Sequence, residues 1–170
     1  AIAANGAPYM QRVGLFNWGE LFLNPDYLEI IRAFAETGAF TFVDTNLVAR
    51  EFSADDADAL VGAGLSRIFA SIDGATQEGY QAYRVRGRLD RALRNIETLL
   101  EARERRGAVT PEVIWKFLVN DVNEHEMMAA AERAIEIGVP IVYELNNKSR
   151  WSRQRRRRET GIPIVKARYE

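Results

Sequence analysis

Five short apolar runs, each separated from the next by a helical pattern, constrain this chain more than any other feature. Val13–Trp18, Ala39–Val43, Arg67–Ile72, Val113–Val119 and Pro140–Leu145 read as strands. Between them, Asn24-Pro25-Asp26 opens a helix striped by Tyr27, Ile30, Ile31 and Phe34, with Asn24 or Asp26 as its cap and Gly38 as its stop. Ser53 and Asp56 form a capping-box pattern ahead of a second helix that stops near Gly64. Two helices follow the third strand, Gln77–Tyr83 and Leu89–Arg105, the longer one faced by Leu89, Ala92, Leu93, Ile96 and Leu100. A last helix over Glu124–Ile137 turns Met127, Ala131, Ala134 and Ile135 inward. Each crossover is long enough to return the chain for a parallel strand, and right-handed crossovers leave only a curling or a doubly covered parallel sheet.

Parallel α/β sheets bind ligands at the carboxyl ends of their strands, so those ends carry the functional reading. They are Asn17, Gly19 and Glu20; Asp44, Thr45 and Asn46; Ser71, Asp73 and Gly74; Asn120, Asp121 and Asn123; and Glu144, Asn146 and Asn147. Glycine lets a ligand approach the backbone, a carboxylate accepts from an ammonium, Ser71, Asn46 and Asp73 suit hydroxyls, and Arg84 offers a planar fork to a carboxylate. The set suits an amino acid joined to a sugar. It suits phosphates poorly, because neither a P-loop nor a G-x-G-x-x-G run is present. Plainer readings stand beside these. Glu20 caps the following helix, Asp73-Gly74 is a common turn pair, and Arg84 joins Arg86 and Arg88 on a solvated surface. Asn123 reads as a helix cap, His125 as exposed, and Trp18 and Trp115 as packing residues. One histidine builds neither a facial metal triad nor a persuasive Ser-His-Asp set, and Lys116 lies in a strand without an evident Schiff-base role.

Composition narrows the chemistry further. The 170 residues contain no cysteine, which removes disulfides, thiolate metal sites and cluster ligation by this chain. That composition fits a reducing, cytoplasmic setting. No apolar run approaches membrane-spanning length, and "AIAANGAPYM" shows neither a signal-peptide pattern nor an initiator methionine, so a fragment or a processed chain is expected. Net charge is −1, yet Lys148, Arg150, Arg153 and Arg155–Arg158 gather seven positive charges, leaving 16 basic against 24 acidic residues elsewhere. That run reads as a solvated, flexible C-terminal segment over 148–170, after a core domain over 1–147. It does not read as a nucleic-acid-binding tail, since no aromatic platform accompanies it.

The stretches "WGELFLNPDYLEIIRAFAETG", "VDTN", "RIFASIDGATQEGYQAYRVRG" and "FLVNDVNEHEM" together resemble the radical S-adenosylmethionine (radical SAM) superfamily, particularly members with a SPASM-type extension. The resemblance runs from about Val13 to Tyr143. It implies an α/β fold, a partial (β/α)6 TIM-like barrel with parallel strands. Here the first βα unit and its C-x3-C-x2-C loop are missing, which would leave an unpaired edge along Val13–Trp18. It implies SAM as cofactor beside a [4Fe–4S] cluster whose ligands lie outside this chain, with an electron donor and a peptide or small-molecule substrate as partners, and no membrane. By the resemblance, Gly19 and Glu20 stand at the family's G-G-E-P motif and meet the SAM amino group. Thr45 and Asn46 stand at its T-N-G motif. Ser71, Asp73 and Gly74 end its S-I-D-G strand, and Arg84 reaches the SAM carboxylate. Leu21 replaces the usual proline and Leu47 the usual glycine. The implied activity of the intact protein is reductive cleavage of SAM to a 5′-deoxyadenosyl radical. This chain alone would be inactive, and the alternative is a cluster-free barrel that binds or scaffolds, through its basic tail.

Overall fold

The computed structural model describes residues 2–6, 9–17 and 19–145. Trp18, Asn146, Asn147 and the basic segment over 148–170 lie outside those residues. In chain order the elements are α1 (Ile2–Gly6), β1 (Arg12–Gly14), a 3-10 turn (Leu21–Leu23), α2 (Tyr27–Ala35), β2 (Phe40–Thr45), α3 (Ala54–Gly62) and β3 (Arg67–Ser71). They continue as α4 (Gln77–Tyr83), α5 (Leu89–Arg105), β4 (Glu112–Val119), a second 3-10 turn (Glu124–Glu126), α6 (Met127–Ile137) and β5 (Ile141–Leu145). The strands form a five-stranded sheet in the order β1-β2-β3-β4-β5. That sequential order is what a (β/α) barrel sheet requires and differs from a doubly wound sheet, whose order reverses at a switch point.

The chain divides into two compact units, the first from Ala1–Ala70 with Arg91–Val113, the second from Ser71–Asp90 with Ile114 onward. In the first, β1 pairs parallel with β2 at Arg12↔Phe40, and β2 with β3 at Phe42↔Arg67. Thr41, Val43 and Thr45 on one face of β2 are buried, as are Ile31, Leu60, Ile96 and Leu99. The opposite face of β2 carries Phe40 and Phe42, over which the guanidiniums of Arg12 and Arg67 stack. The expected six-residue first strand shortens to three. Leu15 still donates to the Phe42 carbonyl at 2.8 Å, after which the Phe16 ring folds edge-on to Phe42. The Ser53–Asp56 capping box forms as expected. Asn24 accepts from the Asp26 amide at 2.9 Å, while Asp26 stands at the N-cap of α2 without a side-chain bond. Gly38 and Gly64 end their helices with positive φ, the conformation glycine adopts without steric cost.

In the second unit β4 pairs parallel with β5, from Trp115↔Ile141 to Val119↔Leu145. Trp115, Phe117 and Val119 alternate onto one buried face, and the Trp115 indole donates to the Ile72 carbonyl at 2.7 Å. The Tyr143 hydroxyl donates to the Met127 carbonyl at 2.5 Å. The buried stripe of α6 is Met127, Ala130 and Ala134. Ile135, expected inside, is 77% exposed. It follows Ala134 by one residue, about 100° further round an α-helix, which takes it off the buried face. Among the described residues, no helix is long and apolar enough to cross a membrane.

Candidate functional site

In the first unit, the ends of β1 and β2 carry four of the expected site residues. Glu20 stands at the N-cap of the 3-10 turn and accepts from the Phe22 amide at 3.3 Å. The capping role read from the sequence is therefore present. The same carboxylate accepts the Thr45 hydroxyl, at 2.9 Å to one oxygen and 3.0 Å to the other. Two motifs 25 residues apart thus meet through one carboxylate. Burial pushes the Glu20 carboxyl above its ordinary value of 4.5, against the pull of the Thr45 hydroxyl and the Phe22 and Asn46 amides; the Asp44 charge adds to the rise. Gly19 is open: a Cβ there would meet nothing within 4 Å. Asn46 accepts from the Val48 amide at 3.0 Å, turning the chain out of β2.

The turn after Thr45 is held from α5. Asn95, almost fully buried, donates to the carbonyls of Leu47 (2.8 Å) and Arg50 (2.7 Å) and accepts from the Phe52 amide (2.9 Å). Arg91, one turn earlier, donates to the Val48 carbonyl at 3.2 Å. The Phe52 ring then meets Phe22 edge-on, with centroids 5.1 Å apart. The sequence reading missed Asn95. Its signal was a lone amide on the apolar stripe of Ala92, Ile96 and Leu99, where an unpaired polar group is costly.

In the second unit, Ser71 ends β3 and is buried, and Asp73 is fully buried. One Asp73 oxygen accepts the Leu118 amide at 2.7 Å and the other accepts Nε of Arg84 at 2.6 Å. Desolvation pushes the Asp73 carboxyl up, against the pull of the Arg84 guanidinium and the Leu118 amide. The Nε of Arg84 is thus engaged inside the protein, while its side chain stays one-third exposed. Asn123 makes no side-chain cap on the turn after it. It is fully buried and donates to the carbonyls of Asp73 and Leu118, both at 3.0 Å. His125 is exposed.

Glu126, also missed, lies beside the same loop. Its buried carboxylate accepts the Ala75 amide at 2.8 Å and the Thr76 amide at 3.4 Å, and takes the Thr76 hydroxyl. A Cβ on Gly79 would collide with that carboxylate, and one on Gly74 would collide with the backbone of Tyr80. Both glycines are required by close approach. Glu126 stands two residues after Glu124 in "NEHEM", and nothing local in that run marks it as the one turned inward.

The Glu20 carboxylate is an acceptor of the kind an ammonium needs. It offers about four acceptor positions, of which the Thr45 hydroxyl and the Phe22 and Asn46 amides take part. An iron–sulfur cluster does not fit this chain's own residues. It has no cysteine, and among the described residues no three His, Cys, Asp or Glu side chains group to hold a metal.

No protein-family model matches the chain, and no curated protein matches it. Solved structures do. SuiB of Streptococcus suis bound to S-adenosylmethionine superimposes with a TM-score of 0.63 at 13% identity, over 83% of this chain and 31% of that one. SuiB bound to its precursor peptide SuiA gives 0.63 at 12% identity, over 79% and 28%. Archaeal TYW1 gives 0.58 at 17% identity, over 79% and 42%. The chain spans less than half the length of each. At these identities the likeness is one of fold, and the parallel α/β fold of this chain is the one these proteins share.

Proposed function

We propose that this chain is the SAM-binding portion of a radical SAM enzyme. The observation that carries the reading is the Glu20–Thr45 contact. The two residues that the family resemblance assigns to separate SAM-binding motifs, Glu20 in the turn that follows β1 and Thr45 at the end of the neighbouring parallel strand β2, bond to each other. A fold match to a protein whose structure was solved with SAM supports it independently.

In this reading Glu20 accepts from the SAM ammonium, with Gly19 leaving the approach open and Thr45 fixing the carboxylate's orientation. Asn46 shapes the loop beside it. Within the second unit, Ser71 and Arg84 are the residues that the resemblance assigns to polar groups and to a carboxylate, and Asp73 holds Arg84 by Nε. SAM, when bound, would supply a 5′-deoxyadenosyl group, its C5′–S bond breaking on one-electron reduction with methionine as the leaving group; a [4Fe–4S] cluster as reductant would need ligands other than this chain's residues. The substrate is a peptide or small molecule; the SuiB complex with a precursor peptide supports the former.

Titration of the chain with SAM by calorimetry is the test. Saturable binding that Glu20→Ala weakens by about ten-fold or more, the order of one lost charge-assisted hydrogen bond, is the expected result. Absence of binding overturns the reading. Joined to a cysteine-bearing segment and loaded with iron and sulfide, the protein should release 5′-deoxyadenosine under reduction.

A further inference from the structure

We infer that Asn95 is a positioning residue for the loop after β2, and that its grip is what lets a leucine occupy position 47. The inference rests on the SAM reading above and names the device that holds the first unit's part of that site.

Leu47 has φ of +54°, in the left-handed region that disfavours residues with a Cβ. Glycine adopts that conformation freely, and the family resemblance expects glycine here. Leucine resists it, so something else must hold the backbone. Leu47 is also buried, so its side chain is anchored. Its amide donates to the Thr45 hydroxyl oxygen at 3.0 Å, and that hydroxyl in turn donates to Glu20. The backbone at Leu47 therefore sets where the Thr45 oxygen sits, and Thr45 sets the Glu20 carboxylate.

Asn95 closes the arrangement from the other side. Its two amide hydrogens go to the carbonyls of Leu47 and Arg50 and its oxygen takes the Phe52 amide. Both donors and its acceptor are used, on three backbone groups of one six-residue stretch. A left-handed turn whose carbonyl is tied to a buried, fully engaged amide cannot relax to an ordinary conformation without orphaning Asn95. Arg91 adds the Val48 carbonyl and lies 3.6 Å from Glu51. Asn95 makes none of these bonds to a group that the SAM reading places against the ligand; it acts through Leu47.

A double-mutant cycle tests this on the 170-residue chain, with SAM as the probe. Asn95→Ala should weaken SAM binding on the order of ten-fold. It should speed amide exchange at Leu47 and Phe52 while the centre of α5 stays protected. In a Leu47→Gly background the same change should cost no more than about two- to three-fold, because glycine holds the turn unaided. Asn95→Leu, which keeps the volume but loses both donors and the acceptor, should behave as the alanine variant does, and guards against an Asn95→Ala that unfolds for want of packing. Equal losses in the two backgrounds overturn the inference, as does unchanged SAM affinity in Asn95→Ala. Should the wild-type chain bind no SAM, the cofactor reading falls. The coupling is then read from thermal melts of the four proteins: non-additive shifts uphold the grip on Leu47, and additive ones overturn it.

Discussion

The Glu20 carboxylate and the Thr45 hydroxyl lie 2.9 Å apart at the carboxyl ends of neighbouring parallel strands, one capping a turn and the other closing its strand. Because burial holds the carboxyl above its ordinary value, the folded state binds the Glu20 proton more tightly than the unfolded state does. A carboxyl with a raised folded value contributes stability at low pH, and that contribution is lost as pH rises through the raised value. Glu20→Gln keeps an acceptor for Thr45 and Phe22 without the charge. Its melting temperature should exceed the wild type's at pH 7, and the two should converge as pH falls below 4.5. Melts followed by circular dichroism across pH 3.5–8 check this; a constant difference contradicts it.

Asp73 and Arg84 form an ion pair in which one partner has no contact with water. Removing the cation leaves a buried carboxylate that still accepts the Leu118 amide but has lost the charge beside it. Arg84→Ala should therefore cost about 3 kcal/mol, the low end for a broken buried pair because Arg84 is partly exposed. The loss should be larger at pH 8 than at pH 5, since Asp73 then titrates still higher. Adding Asp73→Asn to Arg84→Ala should recover part of it. Urea unfolding at the two pH values measures all three.

Glu126 and Gly79 answer to each other. Glu126→Ala leaves the Ala75 and Thr76 amides without their acceptor and should cost about 2–4 kcal/mol, while Glu126→Gln should cost about 1. Gly79→Ala drives a methyl into the carboxylate and should destabilise by about 1–3 kcal/mol. The two alanine changes should be less than additive in urea unfolding, since removing the carboxylate opens the space the methyl needs.

Tyr80 is fully buried, and its hydroxyl has no hydrogen-bond partner among the described residues. Desolvation pushes its phenol up to about 12. An unsatisfied buried hydroxyl costs the fold, so Tyr80→Phe should raise stability by about 1 kcal/mol. A destabilised Tyr80→Phe would show that the hydroxyl is engaged in solution.

Much of the architecture was legible because strand and helix patterns are local. The capping box at Ser53, the spans of α4 and α5 and the parallel order all follow from periodicity and crossover length. Where the reading and the structure differ, the difference is of tertiary packing: Phe16 meets Phe42 edge-on beyond the short β1, and the buried stripe of α6 runs through Ala130 and Ala134 and leaves Ile135 out.

The candidate site divides the same way. Glu20, Thr45, Asn46, Ser71 and Asp73 could be put forward as candidates from the sequence because each stands at or just beyond the end of a recognisable apolar run. Asn95 and Glu126 could not. Nothing nearby in the chain marks an asparagine on one helix, or the second glutamate of a charged turn, as the partner of a loop 43 or 51 residues away. Periodicity determined which segments become strands and helices, since the spacing of apolar residues is a property of neighbours along the chain. Tertiary structure alone decided which buried polar groups complete one another, because a hydrogen bond between distant segments exists only once folding has brought donor and acceptor together.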